Sequence, residues 1–118
     1  MSQFISDHVR LDQRSLALHR RVAEKLAAQP DLIDVARENL RRWQASSDRP
    51  SLALAEWVSI LDQPLDEIVA LLVDPSDDAV RLRQSSPFAG ILTEAERLAI
   101  YEPYTTRAYH SRRQPDLG

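Results

Sequence analysis

Apolar residues recur along this chain at three- and four-residue spacing between proline- and serine-rich breaks, a pattern that predicts helices and no strands. A first helix runs from an N-cap at Asp12 to about Gln29, where Pro30 stops it. Leu11, Leu16, Leu18, Val22, Ala23 and Leu26 fall on one broad arc of that helix, and Arg10, Arg14, Arg21 and Lys25 form a narrow basic stripe beside it. His19 and Ser15 lie inside the apolar arc, which predicts a buried histidine hydrogen-bonded to a neighbour. A second helix opens at Asp31 and reaches about Ala45, with Leu32, Ala36, Leu40 and Trp43 inward.

Ser46, Ser47, Asp48, Arg49 and Pro50 then break the pattern, and Ser51 caps a third helix to about Leu61 with Leu54, Trp57, Val58 and Leu61 inward. Asp62, Gln63 and Pro64 turn the chain into a fourth helix carrying Leu65, Ile68, Val69 and Leu72. Asp74 and Pro75 end it. Ser76 caps a short fifth helix to about Arg83, with Asp77 and Asp78 at its positive end. Residues 85–92 form an apolar loop, since Pro87 biases Ser86 toward extended backbone. Thr93 and Glu96 have capping-box spacing for a sixth helix to about Tyr101, closed by Pro103. The expected fold is all-α, a compact bundle of about six short helices in which the first two pair antiparallel. Residues 11–102 make one domain, preceded by a flexible start at 1–10 and followed by a flexible basic and aromatic tail at 103–118.

Composition supports that reading. With 118 residues, 43% of them hydrophobic, the chain can build one core and not two. The absence of cysteine excludes disulfides and thiolate metal sites. The polar first ten residues carry no apolar run of signal-peptide length, and nothing approaches a membrane span, so the expected location is cytoplasmic with no membrane contact. Fourteen of fifteen basic residues are arginine, which with the Ala and Leu content fits a GC-rich bacterial genome. The net charge of −3 is unevenly spread: residues 1–49 carry +2, residues 50–102 carry −7 and residues 103–118 carry +2.

No chemistry-bearing constellation stands out, so no catalytic residue, metal ligand or cofactor site is expected. His8, His19 and His110 share no metal-type spacing. Asp77 and Asp78 sit where a helix start favours carboxylates. Asp66 and Glu67 are neighbours on one helix and point about 100° apart, so they cannot serve one substrate as a pair. Gly90 is the one internal glycine, which leaves no glycine-rich phosphate loop.

What remains is recognition. The third and fourth helices look like the later helices of a phage-repressor-type helix-turn-helix protein, but five carboxylates and no Arg or Lys lie between Pro50 and Pro75. A duplex-facing surface must neutralise phosphates. Any DNA contact therefore falls to Arg10, Arg14, Arg21 and Lys25, or to Arg107, Arg112 and Arg113 in the tail. The loop at 85–92 is either a core plug or a set of partner anchors led by Phe88 and Ile91.

The run Arg83, Gln84, Ser85, Ser86, Pro87, Phe88, Ala89, Gly90, followed by Leu92, Thr93, Glu94, Ala95, Glu96 and Arg97, resembles a family of small bacterial proteins, some of them antitoxin-like partners encoded beside a toxin gene. The likeness spans roughly residues 10–101 and implies a non-catalytic protein-binding module that neutralises a toxin. Phe88, Ile91, Tyr104, Arg107 and Tyr109 are the expected partner-binding residues, and the Arg10, Arg14, Arg21 and Lys25 stripe the expected contact for nucleic acid or an acidic partner. A DNA-binding autorepressor and a structural homo-oligomer are the alternatives.

Overall fold

A computed structural model describes residues 3–46 and 51–105. The described residues form an all-α bundle of six helices: α1 (Gln3–Ala28), α2 (Ile33–Ser46), α3 (Leu52–Leu61), α4 (Leu65–Leu72), α5 (Asp77–Arg83) and α6 (Glu94–Tyr101). Short 3-10 turns at Pro30–Leu32 and Glu102–Tyr104 complete the order. No described helix is long and apolar enough to cross a membrane.

Helix α1 begins at Gln3, so the start expected to be flexible is helical from there, and Asp12 lies inside the helix rather than capping it. An interior Asp costs a helix only about 0.6 kcal/mol relative to Ala. Neither glycine nor proline interrupts the chain before Pro30. The other boundaries follow their caps. The Ser51 side chain accepts from the Leu54 N–H at 3.4 Å, and that of Ser76 accepts from the Ala79 N–H at 3.2 Å. Thr93 and Glu96 make a reciprocal capping box, with bonds of 3.1 and 2.9 Å. Asp31 makes no side-chain cap; Pro30–Leu32 instead turns the chain before α2 starts at Ile33.

Helix α1 packs along α4 and α6, whereas α2 packs on α3. The expected α1–α2 pair is thus not the main contact of either helix. The 3-10 turn between them redirects the chain, and the α2 stripe of Ala36, Asn39 and Leu40 is buried. Val22 and Leu26 of α1, Trp57 and Leu61 of α3, and Ile68 and Leu72 of α4 form the core centre, each 2% exposed or less.

The loop at 85–92 closes this core. Phe88 and Ile91 are each 4% exposed and Leu92 is 6% exposed, with Pro87 fully buried beside them. Phe88 meets Trp57 edge to face at a centroid distance of 5.5 Å, and the Trp57 Nε1–H donates to the Leu82 carbonyl at 3.0 Å. Phe88 and Ile91 are therefore plug residues, which corrects the expectation that they anchor a partner: both pack into the same core cluster as Trp57, Leu61 and Leu72.

Because the loop is irregular, its buried carbonyls lack helical donors, and side chains from α1 and α2 supply them. The Asn39 amide, 4% exposed, donates to the Pro87 carbonyl at 2.9 Å and to the Ala89 carbonyl at 2.8 Å. Lys25 Nζ donates to the Ile91 carbonyl at 2.9 Å. Gly90 takes φ +89°, where an L side chain would be strained, although a Cβ there would meet only Val35 Cγ1, at an ordinary 3.8 Å.

Two stability measurements check this account. Phe88→Ala is expected to lose about 3–5 kcal/mol in urea unfolding through the cavity it leaves. Asn39→Ala is expected to lose about 1–3 kcal/mol, because the buried Pro87 carbonyl and the partly buried Ala89 carbonyl forfeit their donor. Losses below about 1 kcal/mol from both would remove the loop from the core.

Candidate functional site

The basic stripe of α1 is turned inward onto this chain's own C-terminal elements. Arg10 Nη1 donates to the Tyr104 carbonyl at 2.9 Å, and the Arg14 guanidinium lies 4.7 Å from the centre of the Tyr101 ring. Arg21 and Lys25 both pair with Glu96, at 3.0 and 2.8 Å. Glu96 is thereby held down to about 2 by the Lys25 hydrogen bond first, with the Thr93 backbone N–H adding to it. The stripe expected to meet nucleic acid or an acidic partner thus has an intramolecular occupant: an acidic, aromatic face of α6 supplies the carboxylate and the ring. Tyr104 belongs to the 3-10 turn docked on α1 and is half-buried, whereas Arg107 and Tyr109 lie outside the described residues.

Two of the concave surfaces among the described residues bear on recognition. The first is a cleft of about 390 Å³ between α1, the loop at 85–92 and α6, with Arg14, Leu18, His19, Arg83, Ser86, Phe88, Leu92, Arg97 and Tyr101 among its walls. His19 forms part of its floor and is 3% exposed. Its Nδ1–H donates to the Ser15 carbonyl at 2.7 Å, which leaves Nε2 to accept from the Ser86 hydroxyl at 2.8 Å. Ser86 Oγ in turn accepts from the Phe88 N–H at 3.4 Å, so the imidazole also fixes the loop. Burial pushes His19 down to about 4, with the Arg83 charge contributing and the Ser15 bond opposing. A serine–histidine contact of this length resembles a nucleophile with its base. Here, however, a backbone carbonyl stands where a carboxylate would support the imidazolium, and the neighbouring Arg83 opposes that charge.

Arg83 is itself buried, 5% exposed. Its Nη1 donates to the carbonyls of Leu71 at 3.2 Å and Asp74 at 2.7 Å, which caps the C-terminal end of α4. Burial lowers its proton affinity, and the carboxylates of Asp74 and Asp12 act against that through space.

The second surface is a shallower groove of about 570 Å³ on the opposite charge balance. Glu56, Glu67, Asp74 and Asp78 rim it, Ile60, Ala70, Leu71 and Leu82 supply apolar surface, and no Arg, Lys or His lines it. Arg81 braces one side by pairing with Glu56 and Asp78, each at 2.8 Å. Four of the ten carboxylates of residues 50–102 thus border this groove, two of them paired with Arg81.

Sequence reasoning placed His19 in the interior but missed Asn39, Ser86, Arg97 and Tyr101. A signal for Asn39 existed: it stands among Ala36, Leu40 and Trp43 on the apolar stripe of α2. Among the described residues no group of three or more His, Asp or Glu side chains is gathered where it could hold a metal ion. Neither a protein-family model, nor a curated protein, nor a solved structure matches this chain.

The histidine yields a pH prediction. Unfolded His19 takes its proton near 6.5, and the folded form only near 4. Between those values the unfolded chain binds more protons, so stability falls as pH drops from 6.5 to 4. The loss attributable to His19 is about 3 kcal/mol. Glu96 has a depressed value and adds its own loss at lower pH, between its ordinary range and about 2. Urea midpoints measured across pH 4–7 should show the first loss in the parent and a flattened profile in His19→Gln. An unchanged slope in the variant would rule the histidine out as its source.

Proposed function

We propose that this chain is a non-catalytic protein-binding module whose contact surface is the groove between α3, α4 and α5, and that its partner presents a basic, amphipathic segment. The observation that carries this reading is the rim of four carboxylates around an apolar floor with no cation in the lining. Such a surface attracts cationic residues at long range and offers apolar area at contact. The resemblance of the Ser85–Gly90 run to antitoxin-like proteins supports the specific form of the proposal: a cytoplasmic antitoxin that covers a basic site on a bacterial toxin.

The autorepressor alternative loses support, because the α1 stripe is engaged by Glu96 and Tyr101 of α6 and by the Tyr104 carbonyl beyond it. The groove itself would repel a duplex. For the homo-oligomer alternative no observation stands out: exposed Leu52 and Leu98, at 78% and 60%, sit on different helices, α3 and α6.

Co-purification from the native host, followed by charge reversal in the groove, tests the proposal. Gln63 and Glu67 line the groove and both are solvent-exposed. Gln63→Lys with Glu67→Lys is expected to abolish a stoichiometric complex while the free chain stays cooperatively folded, its thermal midpoint lowered by no more than about 8 °C through the charge reversed in the first turn of α4. Restoration of growth when this chain is co-expressed with that partner, lost in the double variant, would support the antitoxin form. A complex indifferent to both substitutions would remove the groove as its contact surface.

A further inference from the structure

The cleft between α1 and α6 gathers three arginines that make no ion pair with a carboxylate among the described residues. Arg21, Lys25, Arg37, Arg41 and Arg81 each contact a carboxylate. Arg14, Arg83 and Arg97 form no such pair among the described residues, and all three line this one cleft. No Asp or Glu lines it. In a chain whose carboxylates outnumber its bases, 18 to 15, this local excess of positive charge is a departure that needs a physical account.

The account lies in the geometry at Tyr101. The guanidiniums of Arg14 and Arg97 lie 4.7 and 5.9 Å from the centre of that ring, so two like charges converge on one aromatic platform. Each keeps the planar N–H donors that match a carboxylate or phosphate. Arg83 adds its charge from beneath, where three carbonyl oxygens hold it in place. The neighbouring wall is apolar, formed by Leu18, Phe88 and Leu92, and the neutral His19–Ser86 pair closes the floor without adding negative charge. A volume of about 390 Å³ falls within the range of small-molecule pockets.

We propose that this cleft binds a small organic anion, with a carboxylate or phosphate head between Arg14 and Arg97 and an aromatic or apolar body against Leu18, Phe88 and Leu92. The bound anion relieves the repulsion between the two guanidiniums and is itself desolvated against a wall that excludes water. It would also tie α6 to α1 at the end where Glu96 does not reach. The cleft shares no lining residue with the acidic groove.

Calorimetric titration of the full chain tests the proposal with benzoate and phenyl phosphate as probes. Inorganic phosphate serves as a head alone and benzyl alcohol as a body alone. At least one of the two probes is expected to bind saturably and at least about tenfold more tightly than either comparator. The better of the two identifies the head group. Arg97→Gln, at an exposed position, is expected to weaken that probe by about tenfold, the loss that follows removal of a charge-assisted hydrogen bond. Arg14→Gln should do the same, and Arg37→Gln, which breaks an ion pair outside the cleft, should leave affinity unchanged. No saturable heat with either probe, comparators that bind as tightly as the probes, or affinity unaltered by Arg97→Gln would each overturn the assignment.

Discussion

The bundle depends on how a stretch of irregular backbone is kept in its interior. Between Arg83 and Glu94 no helix supplies amide donors, yet the loop must sit deep enough to bring Phe88 against Trp57. A buried carbonyl without a donor costs about 1–3 kcal/mol, enough to push such a loop out to solvent. Asn39 prevents that by placing both amide protons on the carbonyls of Pro87 and Ala89, and Lys25 and His19 hold the flanks at Ile91 and Ser86. No buried side-chain N or O among the described residues lacks a partner. With these bonds in place the apolar side chains can close the core; without them, the helices would surround a gap.

The same economy governs the cations of α1. Lys25 contacts the Ile91 carbonyl and Glu96 at once, so one ammonium fixes the loop and the start of α6 together. Glu96 in turn caps its own helix through the Thr93 N–H while pairing with Arg21 and Lys25. Helix α6 buries no residue completely, so polar contacts and the stacking of Arg14 on Tyr101 carry much of its attachment. That explains why a stripe that reads in sequence as a free basic face is an intramolecular seam.

Local rules made most of the fold legible. Caps at Ser51, Ser76 and Thr93 and the apolar spacing of α3 and α4 specify their elements without tertiary information. The start of α1 was not legible, because Asp12 is acceptable both as a cap and within a helix, and spacing alone does not separate the two. Whether Phe88 and Ile91 faced inward was equally undetermined by local pattern: an apolar loop is a plug only if donors elsewhere meet its carbonyls. Those donors, Asn39 and Lys25, stand 48 and 66 residues away in sequence from their acceptors. The cleft stayed hidden for a similar reason. Arg14, Arg83 and Arg97 come from three different helices, and nothing in their spacing along the chain joins the stripe residue Arg14 to the other two.

The two concave surfaces are not built on independent elements. Arg83 lines the cationic cleft, yet its guanidinium grips the carbonyls of Leu71 and Asp74, two residues that line the acidic groove. Leu82, its neighbour, packs into the groove wall and accepts the Trp57 indole N–H that seats the ring against Phe88. A charge buried at the end of α5 therefore sets the field in one cavity and the backbone position of the other. All of these carbonyl contacts are made through Nη1, so one nitrogen of the guanidinium holds the end of α4 while the same charged group lines the cleft.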